Sequence, residues 1–238
     1  MGRLFITGDT HGDFFRIHNF CRKNETTKDD VMIICGDAGI NYHCDDRDCD
    51  LKWRLSEMPI TFLIVHGNHE ERAWNIPSYE CGYINVGNNE ILAWYEPEYP
   101  NIVFLGDSEK KLINGKLFLF LGGAYSVDKH YRLLCGDKWF PSEQMSEHEM
   151  EIVLRSLKRY ESHRTVDYIV SHTCPLKYEP TEVFLPSINQ STVDKRTEIF
   201  LDEVDDLMQY KTWFCGHYHT NKTIDKMHFL FKDIIEIK

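Results

Sequence analysis

Residues 3–12 read RLFITGDTHG. The run Arg3–Thr7 is apolar on nearly every position, and Gly8-Asp9-Thr10-His11-Gly12 follows it directly. Such a run predicts a short strand buried on both faces, with a polar cluster at its carboxyl end. The same order recurs along the chain. Val31–Cys35 is followed by Gly36-Asp37-Ala38-Gly39, Thr61–Val65 by His66-Gly67-Asn68-His69-Glu70, and Thr212–Cys215 by Gly216-His217-Tyr218-His219. Asp167–Ser171 ends in Ser171-His172. In open α/β sheets the site lies outside the carboxyl ends of the strands. Glycine there lets the backbone turn sharply and a ligand come close. A single Gly-Asp at a strand end reads as an ordinary turn. Five strand ends that each deliver Asp, Asn or His predict one shared site.

Two further runs, Ile102–Leu105 and Leu117–Leu121, also read as buried strands, and His228–Phe231 with Ile234–Ile237 reads as an antiparallel C-terminal hairpin. Helical spacing connects Phe14, Ile17, His18 and Cys21, and again Leu51, Leu55 and Met58. A helix is expected from just after Pro141, with Ser142 as its cap, toward Tyr160. Another is expected over about Asp194 to Gln209, with Ile199, Phe200, Val204 and Leu207 inward. Strands alternating with helices predict a layered α/β fold. Glu71 to Asn101 reads as loop with a short ribbon, its aromatic residues packed in a core, and Cys174 to Val193 as irregular chain. Neither has linker composition, so residues 1–238 are expected to form a single domain.

The 238 residues carry a net charge of −11, with 42% hydrophobic and 13% aromatic residues. That composition excludes a disordered chain. The negative excess argues against a nonspecific nucleic-acid grip, which needs a Lys/Arg surface, and against a polybasic membrane patch. No apolar run reaches the ~18 residues of a spanning helix, and no signal-peptide pattern is visible. The eight cysteines contain no C-x-x-C pair. A reducing cytoplasm is the expected location.

The Asp, Asn and His residues after these strands offer seven candidate ligands. Carboxylate, amide and imidazole donors suit Mn, Fe or Zn as divalent ions. There are too few carboxylates for a calcium cage and too many histidines for magnesium. Seven donors fit two divalent metal ions that share one carboxylate. Metals ~3.5–4 Å apart can hold both the attacking and the leaving oxygen of an in-line displacement.

The ordered set GDTHG, GDAG, GNHE, SH and GHYH, from Asp9 to His219, resembles the calcineurin-like metallophosphoesterases. The resemblance implies an α/β fold of two facing mixed β-sheets flanked by helices, a four-layer sandwich. It implies that Asp9, His11 and His219 hold one metal, that Asp37 bridges, and that Asn68, His172 and His217 hold the other. His69 would be the catalytic residue that protonates the leaving oxygen, and a two-metal-activated hydroxide would attack phosphorus. The protein Ser/Thr phosphatases of the family carry an Asp and an Arg after the bridging Asp, where this chain has Ala38-Gly39-Ile40-Asn41. That leaves Glu70 or Asp107 to orient His69. Gly122-Gly123-Ala124-Tyr125-Ser126-Val127-Asp128, then Arg132 and Trp139-Phe140-Pro141, resembles a bacterial or phage-type subgroup.

Asn68 is an expected substrate contact, as are Arg132 and Arg72, whose guanidinium forks match phosphate geometry. The expected substrate is a phosphate monoester or diester, a small molecule or a phosphoprotein. A nuclease of the same superfamily and a catalytically silent binding module are the alternatives. A basic groove would mark the first and a missing ligand the second.

Overall fold

The computed structural model describes residues 2–159 and 161–238. The elements run β1 (Leu4–Thr7), α1 (Phe15–Asn24), β2 (Val31–Ile34), α2 (Asp46–Ser56), β3 (Thr61–Ile64), β4 (Glu80–Val86), β5 (Asn89–Tyr95) and β6 (Ile102–Phe104). They continue with β7 (Ser108–Ile113), β8 (Lys116–Leu121), α3 (Lys129–Cys135), α4 (Glu147–Arg159), β9 (Tyr168–Ser171) and α5 (Arg196–Leu207). The chain closes with β10 (Thr212–Cys215), β11 (Lys222–Ile224), β12 (Met227–Phe229) and β13 (Ile234–Glu236).

Two mixed sheets result. One has the order β13-β1-β2-β3-β6-β5-β4 and the other β11-β12-β10-β9-β8-β7. Strands β1, β2, β3 and β6 are parallel, as are β12, β10, β9 and β8. Alternate side chains of a strand point to opposite faces, and the buried clusters divide along that period. Ile6, Ile33, Leu63 and Val103 pack with Phe118, Phe120, Val170 and Phe214 in one core shared by both sheets. Phe5, Met32, Phe62 and Ile64 face the other way, onto Ile17 of α1 and Leu51 and Leu55 of α2. Leu119, Ile169 and Trp213 likewise meet Met150 and Leu157 of α4 and Phe200 and Val204 of α5. The layers are therefore helix, sheet, sheet, helix, the architecture that the family resemblance implied.

Register does the positioning. Thr7 pairs with Ile34 and Ile34 with Ile64, so β1, β2 and β3 end in line. Cys215 pairs with Ser171 in the facing sheet. The polar clusters that follow these strands are thereby delivered to one edge of the sandwich.

Several expectations need correction. The C-terminal pair is not a hairpin: β12 joins β10 and β11 in one sheet, and β13 pairs antiparallel with β1 in the other. Buried β1 would otherwise expose a row of unpaired backbone groups, which burial does not allow. The helix expected after Pro141 starts only at Glu147, and its expected end at Tyr160 lies outside the described residues. Ile199 is exposed rather than inward. The short ribbon in the Glu71–Asn101 stretch is a seven-residue pair, β4 and β5, that extends the first sheet.

Candidate metal centre

Each sequence motif reaches this edge from its own strand. Asp9 and His11 follow β1, Asp37 follows β2, Asn68 and His69 follow β3, His172 follows β9, and His217 and His219 follow β10. His11, Asp37, His217 and His219 all have positive φ, between 45° and 67°. Non-glycine residues hold that conformation only where surrounding structure imposes it, commonly at functional sites. The backbone also approaches too closely for side chains. A Cβ on Gly67 would lie 1.9 Å from Asp37 Oδ1, and one on Gly36 would lie 2.1 Å from His172 Nδ1.

The donor atoms fall into overlapping groups. Asp9, His11 and His219 form one, Asp9, Asp37 and His172 another, and His11, Asp37 and His69 a third. His11 Nε2 and His219 Nε2 are 2.9 Å apart. Asp9 Oδ2 lies 3.1 Å from His219 Nε2 and 3.7 Å from His11 Nε2, and it is buried with no hydrogen-bond partner among the described residues. Imidazole nitrogens and a buried carboxylate oxygen that converge in this way are donor types that a divalent cation takes. Asp37 Oδ2 stands 3.5 Å from His172 Nε2 and 3.9 Å from His11 Nε2, between the two sides. Asn68 Oδ1 is 2.8 Å from His172 Nε2. His217 belongs to none of the three groups; its ring sits 4.9 Å from that of His172. His69 reaches donor range of His11 and Asp37, a placement that its expected role as a non-ligand did not anticipate.

Supporting contacts fix the orientation of the donors. The Nδ1–H of His172 donates to the Cys35 carbonyl at 2.7 Å, which turns Nε2 toward the site. Asn68 Nδ2 donates to Ser126 Oγ at 2.8 Å, which turns its oxygen inward. The His69 backbone N–H donates to Asp37 Oδ1 at 2.8 Å. Residue type alone does not single out Ser126, although it lies in the Gly122–Asp128 segment.

The two arginines differ. Arg132 is buried, donates from Nη1 to Ser126 Oγ at 3.3 Å, and its Nε and Nη2 have no hydrogen-bond partner among the described residues. Arg72 is fully buried, with Nε on Asp107 at 2.9 Å, Nη1 on the Gly67 carbonyl at 2.7 Å and Nη2 on the Glu143 carbonyl at 3.0 Å. Its fork is used up holding the Gly67 loop, so it is a strut and not a substrate contact. Glu70 and Asp107 do not orient His69 either: Glu70 accepts from Gly39 and Gly67 N–H groups, and Asp107 pairs with Arg72.

Electrostatics reflects the crowding. Burial opposes ionisation of Asp37, but His172, His69 and His11 hold its carboxyl well below the usual range. Burial lowers the His172 pKa, yet Asp37 and Asp9 outweigh it and push it up to about 9. Burial and the neighbouring His172 lower His217 to about 3. Burial lowers His69 as well, against the pull of Asp37.

A cavity of about 470 Å³ opens beside these groups, lined by His69, His217, Phe184, Leu185, Ile188 and Glu198 among others. Its aromatic lining is Tyr125, Phe184 and Tyr218. The aromatics of the Glu71–Asn101 stretch lie elsewhere: Tyr79 and Tyr99 pack in the core under α2, while Tyr83 is exposed on β4 rather than packed as expected.

Burial, then the Glu179 charge, pushes the Glu198 carboxyl up from 4.5 to about 7. A raised carboxyl favours folding while protonated, and that advantage fades as pH rises from about 4.5 through about 7. The variant Glu198→Gln does not titrate. Its stability relative to wild type should therefore improve between pH 5 and pH 8 by up to roughly 3 kcal/mol. Urea denaturation of metal-free protein at both pH values measures this, and a difference that is constant with pH would refute it.

The family model for calcineurin-like phosphoesterases matches residues 2–221, and the chain belongs to that family. TT1561 of Thermus thermophilus is similar in fold, with 12% identity, a TM-score of 0.51, and 97% of this chain and 88% of that chain covered. A second solved structure matches with 11% identity and a TM-score of 0.54 over 96% of this chain and 89% of its own. A structure described as a novel archaeal phosphodiesterase matches with 10% identity and a TM-score of 0.38, over 99% of this chain and 98% of that one. No curated protein matches significantly. Family membership supports a hydrolase that acts on phosphoesters with metal ions. No helix among the described residues is long and apolar enough to cross a membrane.

Proposed function

We propose that this protein hydrolyses a phosphate monoester or diester with two divalent cations, one held by Asp9, His11 and His219, the other by Asn68, His172 and His217, with Asp37 shared. The observation that carries this reading is the convergence of donor atoms: His11 Nε2 and His219 Nε2 lie 2.9 Å apart, Asp9 Oδ2 lies 3.1 Å from His219 Nε2, and Asp37 Oδ2 lies 3.9 Å from His11 Nε2. When bound, two such cations polarise phosphate oxygens and bring the pKa of a water from 15.7 toward roughly 7.

The chain's own residues do the rest. Arg132, whose buried Nε and Nη2 have no hydrogen-bond partner among the described residues, would donate to a phosphate oxygen. Asn68, held by Ser126, keeps its side-chain oxygen turned to the centre. His69 lines the cavity and is placed to give a proton to the departing oxygen. Mn, Fe and Zn all suit these donors. The location we propose is the cytoplasm.

The test is metal-stripped protein restored with Mn²⁺, Fe²⁺, Zn²⁺ or Mg²⁺ and offered phosphomonoesters, phosphodiesters, nucleotides and phosphopeptides. Turnover of at least one ester should return with metal. Silence across the whole panel with every metal would end the proposal.

A further inference from the structure

Six apolar side chains, Val127, Val183, Phe184, Leu185, Ile188 and Val193, line the cavity that also borders His11, Asp37 and His69. None of the six belongs to the three buried core clusters. All keep part of their surface exposed, Val183 39% and Leu185 57%. Apolar surface left in water gains free energy only when something covers it. The wall is held in place by its own contacts. The Phe184 ring stacks on Tyr218, with centroids 6.2 Å apart and planes at 17°. Lys195 Nζ lies 4.8 Å from the Phe184 ring centroid and 2.5 Å from Glu179 Oε1, and Glu182 pairs with Lys222 of β11. The charged members of the lining other than Asp37 are engaged or covered. Lys195 pairs with Glu179, Glu198 is 3% exposed and accepts from Thr173, and Asp128 Oδ1 lies 4.0 Å from Arg132 Nη1. A second cavity, of about 350 Å³, also borders His11 and His69, but Arg47, His43, Asp48 and Arg54 are in its lining, so it offers an apolar group less cover.

We propose that this apolar wall covers the organic group of the substrate and makes the protein selective for phosphate monoesters of uncharged, apolar alcohols. The proposal rests on the phosphoesterase reading above and names its substrate class. With the phosphate at the cation donors, the carbon skeleton of the alcohol lies against Phe184, Leu185 and Ile188 and loses its hydration there. Small-molecule sites are commonly apolar cavities of roughly 300–1,000 Å³ with a few polar groups that fix orientation, and the cation donors are those groups here. Hydrolysis of such a monoester breaks the bond between phosphorus and the ester oxygen and joins the oxygen of water to phosphorus. The products are inorganic phosphate and the alcohol, whose oxygen takes one proton of the water. A nucleotide or a phosphopeptide would bring polar and charged groups against the same wall, where burial without partners is costly.

Hexyl phosphate and 6-hydroxyhexyl phosphate test this with the metal-restored enzyme, because their leaving alcohols are closely matched in acidity and differ only at the far end. Wild type should favour hexyl phosphate by about tenfold or more in kcat/KM, since a hydroxyl buried without a partner is costly. From propyl to hexyl phosphate, kcat/KM should rise by about two- to fourfold per methylene covered. Leu185 is largely exposed and outside the cores, so Leu185→Ser should fold, and it should cut the preference for hexyl phosphate by about threefold or more. A second measurement needs no metal. Saturation-transfer NMR on the metal-free protein should show 1-hexanol bound more tightly than 1,6-hexanediol, and Leu185→Ser should reduce that difference. Rates that change neither with chain length nor with the terminal hydroxyl overturn the inference and leave the phosphoesterase reading standing. So does a preference that Leu185→Ser leaves intact, because the organic group then lies elsewhere. Tighter binding of 1-hexanol, weakened by Leu185→Ser, without hydrolysis of any ester overturns the phosphoesterase reading and leaves the preference of the cavity standing.

Discussion

Asp37→Asn should leave the folded protein unable to hold two metal ions and should lower kcat/KM by roughly a thousandfold or more, since each metal supplies several kcal/mol of transition-state charge stabilisation. The substitution keeps the size of the side chain and removes its charge. Asp37 has contacts on both sides of the centre: Oδ2 faces His172 Nε2 at 3.5 Å and His11 Nε2 at 3.9 Å, while Oδ1 accepts the His69 N–H. Asparagine can still accept that N–H from one side, so the loop has a reason to stay in place. Its remaining amide NH2 is a donor and cannot coordinate neighbouring cations as a carboxylate oxygen does. Elemental analysis after dialysis should show fewer than two metal equivalents per chain. A variant that retains two equivalents and wild-type turnover would remove Asp37 from the bridging position.

The second large effect is expected at His69. His69→Ala should retain two metal equivalents and lose turnover on alkyl phosphate esters by roughly 10²–10⁴-fold, the usual contribution of a general acid. The imidazole ring stands edge-on to His11 with centroids 5.4 Å apart, and it lines the cavity where a departing group would lie. An alkoxide leaves poorly without a proton, whereas a nitrophenolate leaves readily without one. The deficit should therefore shrink markedly on a nitrophenyl ester. That dependence on the leaving group separates proton donation from simple damage to the site. The same variant tests the other placement, in which His69 shares donor range with His11 and Asp37. Loss of a metal equivalent would make His69 a ligand, and a uniform deficit on every ester would remove its role as an acid.

How much is legible in the sequence varies with how local each feature is. The strand runs and the polar residues after them are a few positions apart, so residue type and order suffice to place them. Arg72 and Arg132 cannot be told apart in that way. Arg72 spends its fork on Asp107 and two carbonyls, up to 71 positions away, while Arg132 has Nε and Nη2 without a hydrogen-bond partner among the described residues. The segment Cys174–Val193 carries no periodic signal, yet Val183, Phe184, Leu185 and Ile188 form a wall of the cavity. Tyr125 and Tyr218 line it too, whereas Tyr79 and Tyr99 pack in a core, as expected of their stretch.

Order along the chain was enough to name the seven candidate ligands and the family, because each motif is a strand end with its own short turn, and such units are specified by near neighbours. Tertiary structure alone decided which side chains are already satisfied. It carried β13 across to the other sheet, buried the guanidinium of Arg72, and left one oxygen of Glu198 without a donor among the described residues. The reason is physical: a hydrogen-bond partner is a matter of distance and direction in space, and those are settled only when segments remote in sequence have packed.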